Sequence, residues 1–475
     1  MSGPADAPAP GGLSVGAELV LRPEASAAGG QALARTPDGV VFVSGAIPGE
    51  EVRARVHEVR RGFARAAVLE VLEASPHRVP DRRLALGAAG AGGMEFARVE
   101  LAHSRALKAA ALGDQLRRIG GIDVPVDLIP APGEAAAEAA APDAAAPAGA
   151  PAAQRAGLGW RTRVQLAVDP AGTPGAHAAG SHDVVPVATL PLAVPELEAL
   201  GLHRLSLPGA ERVEMAVGSG PEPTGAVIVS GAPSAPALTA VRTALGRAQG
   251  EWSLFARAGG QRNRGGRGRG RARGRGSGAA ADPQLLAGDG RVAEQVTGAQ
   301  GAPLRFRLRG DGFWQVHRDA AQVLADAVAA AAGGAGSVLD LYCGAGLFSV
   351  RLAAQPGVRV HGIEGSAAAI AAARDSAAAN GTAATFAAAR IESLERLPEA
   401  QAVVVDPPRA GLGARVVEAI LASPAERLVY VSCDGATFAR DARGLAAGGF
   451  ALASFAAHDL FPLTAHQETV AVFAR

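Results

Sequence analysis

Between residues 337 and 432 four short apolar strands, SVLDLY, RVHGIE, AVVVD and RLVYVS, alternate with alanine-rich helical stretches. Strands that are apolar along their whole length are buried on both faces, and helices laid on either side of a parallel sheet can cover them. This repeat limits residues 302–475 to an α/β domain built on such a sheet. Ligands of these sheets bind in the crevice outside the carboxyl ends of the strands, so the loops there are where chemistry is expected. The closing segments FALASFAAHDLF and ETVAVFA read as two consecutive strands, a hairpin at one edge.

The preceding sequence has a different texture. Residues 13–77 carry short alternating strands with turn signals, among them GAELVL, a PDG turn before VVFVSG, EEVRARVHEV and ARAAVLEVLE. That spacing predicts a small antiparallel β-barrel. Residues 78–301 form a central α+β domain, in which 97–120 has helical periodicity and ends at a glycine pair. A Pro/Ala/Gly tail at 1–12 and two low-complexity inserts, 131–156 and 257–280, are expected to be disordered.

The net charge of +1 on 475 residues, taken alone, argues against nucleic acid. Resolved along the chain, it hides a run from Arg257 to Arg275 with eight arginines in 19 residues and no acid, set against a remainder of about −7. Arg–Gly segments of this kind bind RNA phosphate electrostatically, or simply solubilise a loop. Lys108 is the single lysine, which excludes a Walker-type phosphate loop. The two cysteines, Cys343 and Cys433, exclude a disulfide framework, a four-thiolate zinc site and a cysteine-held iron–sulfur cluster. No metal is expected. MSGPADAPAPGG has no basic, then apolar, leader pattern, and no uncharged apolar run reaches membrane-spanning length. A soluble, cytoplasmic monomer is expected.

The carboxyl-end loops carry the candidate site. VLDLYCGAGLF is a strand, a glycine turn and a helix start, where Gly344 and Gly346 let the backbone approach a ligand. Glu364 ends the next strand, 20 residues after Gly344, where a carboxylate can accept from ribose hydroxyls. Loop plus acid describes any nucleoside cofactor, nicotinamide or S-adenosylmethionine, and equally a tight turn with a solvated acid. Asp406-Pro407-Pro408-Arg409 projects an acid and a stiffened backbone over the sheet, suited to the edge of a flat heterocycle. Cys433 ends LVYVS and shares that crevice, although a structural cysteine is the commoner fate of the residue. Cys343 is expected to pack rather than react. Glu468 opens the last strand, and His466 beside it reads as an exposed loop histidine.

These segments together resemble the S-adenosylmethionine-dependent RNA uracil-5-methyltransferases. GFWQVH, LDLYCGAGLF, GIEG, AAANG, DPPRAG, VYVSCDGATFARD and DLFP with HQET occur in the family's order. GGQALAR and DGVVFVSGAIPGE resemble its TRAM RNA-binding domain. The resemblance implies a Rossmann-like class I methyltransferase domain behind an OB-like TRAM barrel, S-adenosyl-L-methionine as cofactor, and RNA (rRNA before tRNA) as partner. It implies Cys433 as nucleophile and Glu468 as base, with Gln315, Tyr342, Gly344, Glu364 and Asp406 holding cofactor and target base. Two departures stand out. Relatives often carry four cysteines for an iron–sulfur cluster, where RRLALGAAGAGGMEFARVEL has none, so no cluster is expected. Arg390 stands where Asp or Asn usually lies near adenine.

Two other readings compete. An amino-group methyltransferase of the N6-adenine type would use DPPR as its clamp, but would leave Cys433 and Glu468 without work. A non-catalytic RNA-binding protein would keep only the fold.

Overall fold

The computed structural model describes residues 13–140, 156–259 and 282–475. The expected disorder of residues 1–12 and of most of both inserts therefore falls outside the described residues. The leading portions of both inserts are among the described residues. Pro132–Ala140 is a helix, and Glu134 in its first turn is buried and accepts from the Gly157 amide at 2.6 Å. Arg257 lies in the strand Glu251–Ala258, ion-paired to Glu214 at 3.0 Å and Asp311 at 3.3 Å, so it is not a free member of the arginine run.

The amino-terminal unit is a six-stranded sheet of Glu18–Leu21, Ala25–Ala27, Gln31–Thr36, Gly39–Ser44, Glu51–Arg60 and Phe63–Glu73. Period-two burial shows on its strands: Ala32 and Ala34 point inward on one, Val52, Ala54 and Val56 on another. All pairings but one are antiparallel; Gly39–Ser44 and Phe63–Glu73 run parallel, a departure from the all-antiparallel expectation. The long strand Glu51–Arg60 reverses direction between these two and pairs on their far side, which makes them parallel.

The central domain holds a seven-stranded sheet, whose parallel pair Thr224–Gly231 and Glu251–Ala258 is joined by the helix Ala235–Leu245. Its other long helix, Leu101–Gln115, buries Leu107, Lys108, Ala111 and Leu112, continues through a wider turn at Leu116–Gly120, and stops at left-handed Gly121. The boundary drawn between 301 and 302 falls inside a turn. Arg291–Thr297 and Pro303–Arg309 form one hairpin, and Val296, Leu304, Phe306 and Leu308 join the core of the last domain.

That last domain is built on seven strands: β1 (Ser337–Leu341), β2 (Arg359–Glu364), β3 (Thr385–Ala388), β4 (Ala402–Val405), β5 (Arg427–Ser432), β6 (Ala451–Asp459) and β7 (Glu468–Ala474). Their order is β3-β2-β1-β4-β5-β7-β6, with β1 to β5 parallel and β7 antiparallel to both neighbours. Alternate side chains of one strand feed two cores. Val338, Val404 and Val429 meet Leu324, Val328 and Ile370 on one face, while Leu339, Val403, Leu428 and Tyr430 meet Ile420 and Phe438 on the other. Each such Val, Leu or Ile contributes about 1.5–3 kcal/mol by leaving water. The β6–β7 hairpin does not close the sheet edge as expected: Leu128–Pro130 of the central domain adds a parallel strand outside β6. No helix among the described residues is long and apolar enough to cross a membrane.

Candidate active site

Parallel pairing of β1, β2, β4 and β5 brings their carboxyl ends to one edge of the sheet, and five of the predicted residues, Tyr342, Gly344, Glu364, Asp406 and Cys433, gather there. After β1 the chain turns sharply. Tyr342 has a positive φ of 62°, and the Tyr342 and Cys343 amides both donate to the Ile363 carbonyl of β2, at 2.9 and 3.2 Å. Gly344 (φ 53°) faces open space, where an added Cβ would meet nothing within 4 Å. Gly346 (φ 88°) is different: its added Cβ would lie 3.1 Å from the Ala373 Cβ, so glycine here serves close helix packing. Cys343 is buried, its sulfur 2.9 Å from where a Gly362 Cβ would stand, and burial pushes its thiol far up. It packs against β2, as expected.

Glu364 spends one oxygen on the Ser366 amide at 2.8 Å. Asp340, inside β1, was not singled out by sequence. It is fully buried, accepts from the Ser349 hydroxyl at 2.5 Å, and keeps Oδ1 without a partner. Burial above all, with Glu364 nearby, raises its carboxyl to about 7. The open glycine turn and this orphaned buried oxygen fit a ligand that brings hydrogen-bond donors, such as the amino and hydroxyl groups of a nucleoside–amino acid cofactor. Arg390 is exposed and turns its carbonyl to the Ser393 hydroxyl. The acid of that loop is Glu392, which accepts from the Tyr342 hydroxyl at 3.2 Å. The only trace of it in the sequence is a glutamate two places after Arg390. Gln315 is half-buried in the segment that leads to the helix Ala320–Ala331.

Cys433 and Glu468 come together through strand register. Ser432 of β5 pairs with Thr469 of β7, so Cys433, one residue on, and Glu468, one residue back, face across the same pair of strands. The Thr469 hydroxyl donates to the Ser432 carbonyl at 3.1 Å, and Asp434 caps the helix Gly435–Ala447 by accepting from the Thr437 amide at 2.9 Å. The neighbouring turn Asp406–Gly411 is tied to the same helix: the Thr437 hydroxyl donates to the Arg409 carbonyl at 3.0 Å, and the Leu412 amide to Asp441 at 2.7 Å. Cys433 is half-buried and Glu468 only 6% exposed.

The electrostatics follow from that crowding. Burial, then the carboxylates of Glu468 and Asp406, push the Cys433 thiol up to about 11, while Arg409 opposes them. Burial and Asp406 hold Glu468 well above the carboxylate range, again with Arg409 opposing. Asp406 is raised to about 7 by burial and then Asp340. Iodoacetamide labelling of Cys433 in the free protein should therefore keep rising with pH past the ordinary thiol value of 9, with its midpoint near 11. Asp406→Asn should move the curve to lower pH and Arg409→Gln to higher. A midpoint near 9 in the unsubstituted protein would contradict this balance of charges.

Beside Cys433 lies a cavity of about 160 Å³, walled by Gly29 and Gly30 of the amino-terminal unit, Lys108 of the central domain, and Arg409, Cys433 and His466. An apolar cavity of about 150 Å³ holds benzene, so a single six-membered ring fits. His466 is exposed, with the Arg409 guanidinium 3.4 Å from its Nε2. The amino-terminal unit's own arginines are largely matched by acids, Arg55 by Glu18 at 2.7 Å and Arg53 by Glu70 at 3.0 Å. It thus offers the site a wall more than a positive field. Among the described residues, no group of three or more His, Cys, Asp or Glu is arranged to hold a metal ion.

Comparison with known proteins agrees with this architecture. Residues 285–475 match the family described as tRNA (Uracil-5-)-methyltransferase, and residues 19–69 match the TRAM domain. The chain is 32% identical to an uncharacterized RNA methyltransferase of Corynebacterium efficiens, over 98% of this chain and 96% of that one. It is 33% identical to one of Streptomyces avermitilis, over 94% and 95%. The crystal structure of a Pyrococcus abyssi tRNA (uracil-54, C5)-methyltransferase with S-adenosyl-L-homocysteine superposes with a TM-score of 0.66 at 20% identity, covering 96% of this chain and all of that one. With a glycine turn for the cofactor, a TRAM domain in front and full-length relatives of this kind, the chain belongs to the S-adenosylmethionine-dependent RNA uracil-5-methyltransferase family.

Proposed function

We propose that the protein methylates C5 of a uridine in cytoplasmic RNA, ribosomal RNA before tRNA, through a covalent adduct between Cys433 and C6 of the base. The observation that carries this reading is the β5–β7 register, which sets one thiol against one buried carboxyl at the sheet edge. Uracil C5 is too weakly nucleophilic to take a methyl group unaided. Addition of the Cys433 thiolate at C6 turns C5 into an enolate carbon. Gln315, Tyr342, Gly344, Glu364 and Asp406 would hold S-adenosylmethionine, whose sulfonium would give its methyl carbon to C5 and leave as the neutral thioether. Glu468 then takes the proton from C5, and the C6–S bond breaks to return the thiolate. The electron pair of the C5–H bond forms the C5–C6 double bond, so the ring is restored. The target base must leave its stack to reach Cys433, and the cavity walled by Gly29, Gly30 and Arg409 has the size to receive it.

Arg409 gives the site its cation. It opposes the burial and the acids that disfavour the Cys433 thiolate and the Glu468 carboxylate, the charged forms that the reaction needs. The preference for ribosomal RNA rests on the TRAM barrel. A tRNA enzyme shares this fold along nearly the whole chain, so tRNA is the second arm of the test.

The test is incubation of the full-length chain with transcribed ribosomal RNA and tRNA and S-adenosylmethionine, reading 5-methyluridine by mass spectrometry. Glu468→Gln should slow turnover by about 10²–10⁴-fold, the usual worth of a general base, and should accumulate protein–RNA adduct on ordinary uridine RNA. If slow turnover came with no adduct on either RNA, the elimination role of Glu468 would be lost. Methylation of tRNA alone would overturn the preference for ribosomal RNA.

A further inference from the structure

The only lysine of the chain is spent on the loop that carries the candidate base. Lys108 is 3% exposed and belongs to the central-domain helix Leu101–Gln115. Its ammonium has three protons and uses each of them: Asp459 Oδ1 at 2.6 Å, the Phe461 carbonyl at 2.9 Å and the His466 carbonyl at 2.8 Å. Asp459 and Phe461 lie at the start of the connection from β6 to β7, and His466 near its end. Asp459 is the last residue of β6, and His466 stands two residues before Glu468.

Other central-domain groups hold the same loop. The Phe96 amide donates to the Leu463 carbonyl at 3.0 Å, and Glu95 accepts from the Ala465 amide at 3.0 Å. Leu463 has a positive φ of 62°, a conformation that a branched side chain keeps only when its surroundings fix it. Within the loop, Thr464 returns its amide and hydroxyl to the Phe461 carbonyl, at 3.1 and 2.9 Å. The same helix also reaches the other side of the site. An added Cβ at Gly435, two residues after Cys433, would lie 2.5 Å from Leu112 and 2.6 Å from Gln115. One rigid element thus abuts both the nucleophile's turn and the base's loop.

We propose that Lys108 is a positioning residue: its three hydrogen bonds fix the 459–467 loop so that Glu468 stands against Cys433 for proton removal. The inference rests on the reading of Glu468 as the base. Lysine suits the role because its three donors diverge from one atom, whereas the planar guanidinium of arginine aims its donors in a fork. With the clamp gone, Cys433 can still add to the base, but the C5 proton is removed slowly.

The test uses the full-length Lys108→Met/Asp459→Asn double variant, which removes both buried charges together, with Lys108→Arg as a second variant. Binding of S-adenosylmethionine should stay within about threefold of the unsubstituted protein; the rate of adduct formation with 5-fluorouridine RNA, measured at saturating RNA because Lys108 also walls the base cavity, should fall far less than turnover, because neither needs the C5 proton. Turnover on ordinary RNA should fall by tenfold or more, with adduct accumulating there as in Glu468→Gln. Unchanged turnover would overturn the proposal. So would an equal loss of adduct formation on the fluorinated RNA, which would mark Lys108 as merely structural. Glu468→Gln run in parallel separates the two readings: if it traps adduct and the double variant does not, the clamp alone fails. If Glu468→Gln traps none, the base assignment fails and takes the clamp's purpose with it.

Discussion

Replacing Cys433 with alanine should lower 5-methyluridine formation by about 10⁴-fold or more, the scale on which loss of a covalent nucleophile is felt. That factor corresponds to roughly 5.5 kcal/mol of lost transition-state stabilisation. Covalent capture of 5-fluorouridine RNA should vanish with it, because fluorine cannot be abstracted as a proton and the trapped species is the thiol adduct itself. Cys343→Ala offers the contrast. Cys343 is buried in the cofactor turn with its thiol pushed far up, so its loss should leave adduct formation in place. Folding should tolerate the change at Cys433, since its thiol is half-buried and anchors no core cluster. Methyl transfer by Cys433→Ala at a rate within tenfold of the unsubstituted protein would remove the covalent mechanism.

The second large effect is on stability. Lys108→Met alone should cost about 3–5 kcal/mol, the usual loss when one partner of a buried ion pair is removed. Asp459 is fully buried, its Oδ2 has no hydrogen bond, and its next cation, Arg105, is 3.9 Å away. Without the ammonium, the interior carboxylate would keep only the more distant Arg105, which Glu138 already holds at 2.5 Å, to balance it. Set against a typical total of about 5–15 kcal/mol, that is a large share. Adding Asp459→Asn should recover most of it, because the two desolvated charges leave together. Urea midpoints of the single and double variants measure this. A double variant no more stable than Lys108→Met would mean that the clamp works by shape and not by charge.

The fold of the last domain was legible because its signal is local. An all-apolar strand such as AVVV and a glycine turn such as CGAG declare themselves within a few residues. The helix through Lys108 was legible for the same reason, from its periodicity. The two inserts were read too broadly, since composition is counted over windows while order depends on single contacts. One amide accepted by Glu134, and two acids beside Arg257, bring residues of alanine-rich and arginine-rich stretches into the structured part. The strand Leu128–Pro130 was not legible either. Three residues carry no periodicity, and only the exposed edge of β6 gives them a partner.

By itself the sequence determined which residues could do chemistry here. It left one thiol in a crevice turn, one lysine in the chain and acids after successive strands. The motifs that resemble the uracil-5-methyltransferases were already in order along it. Tertiary structure alone decided what these residues do to one another. Cys433 and Glu468 are 35 positions apart, and only the antiparallel register of β5 and β7 makes them neighbours. Lys108 and Asp459 are 351 positions apart and meet at 2.6 Å only once the central helix docks. Burial, which no count of residues contains, turns ordinary acids and a thiol into groups that shift one another's protons. A charge in water is cheap and weakly coupled; enclosed among apolar strands it is neither.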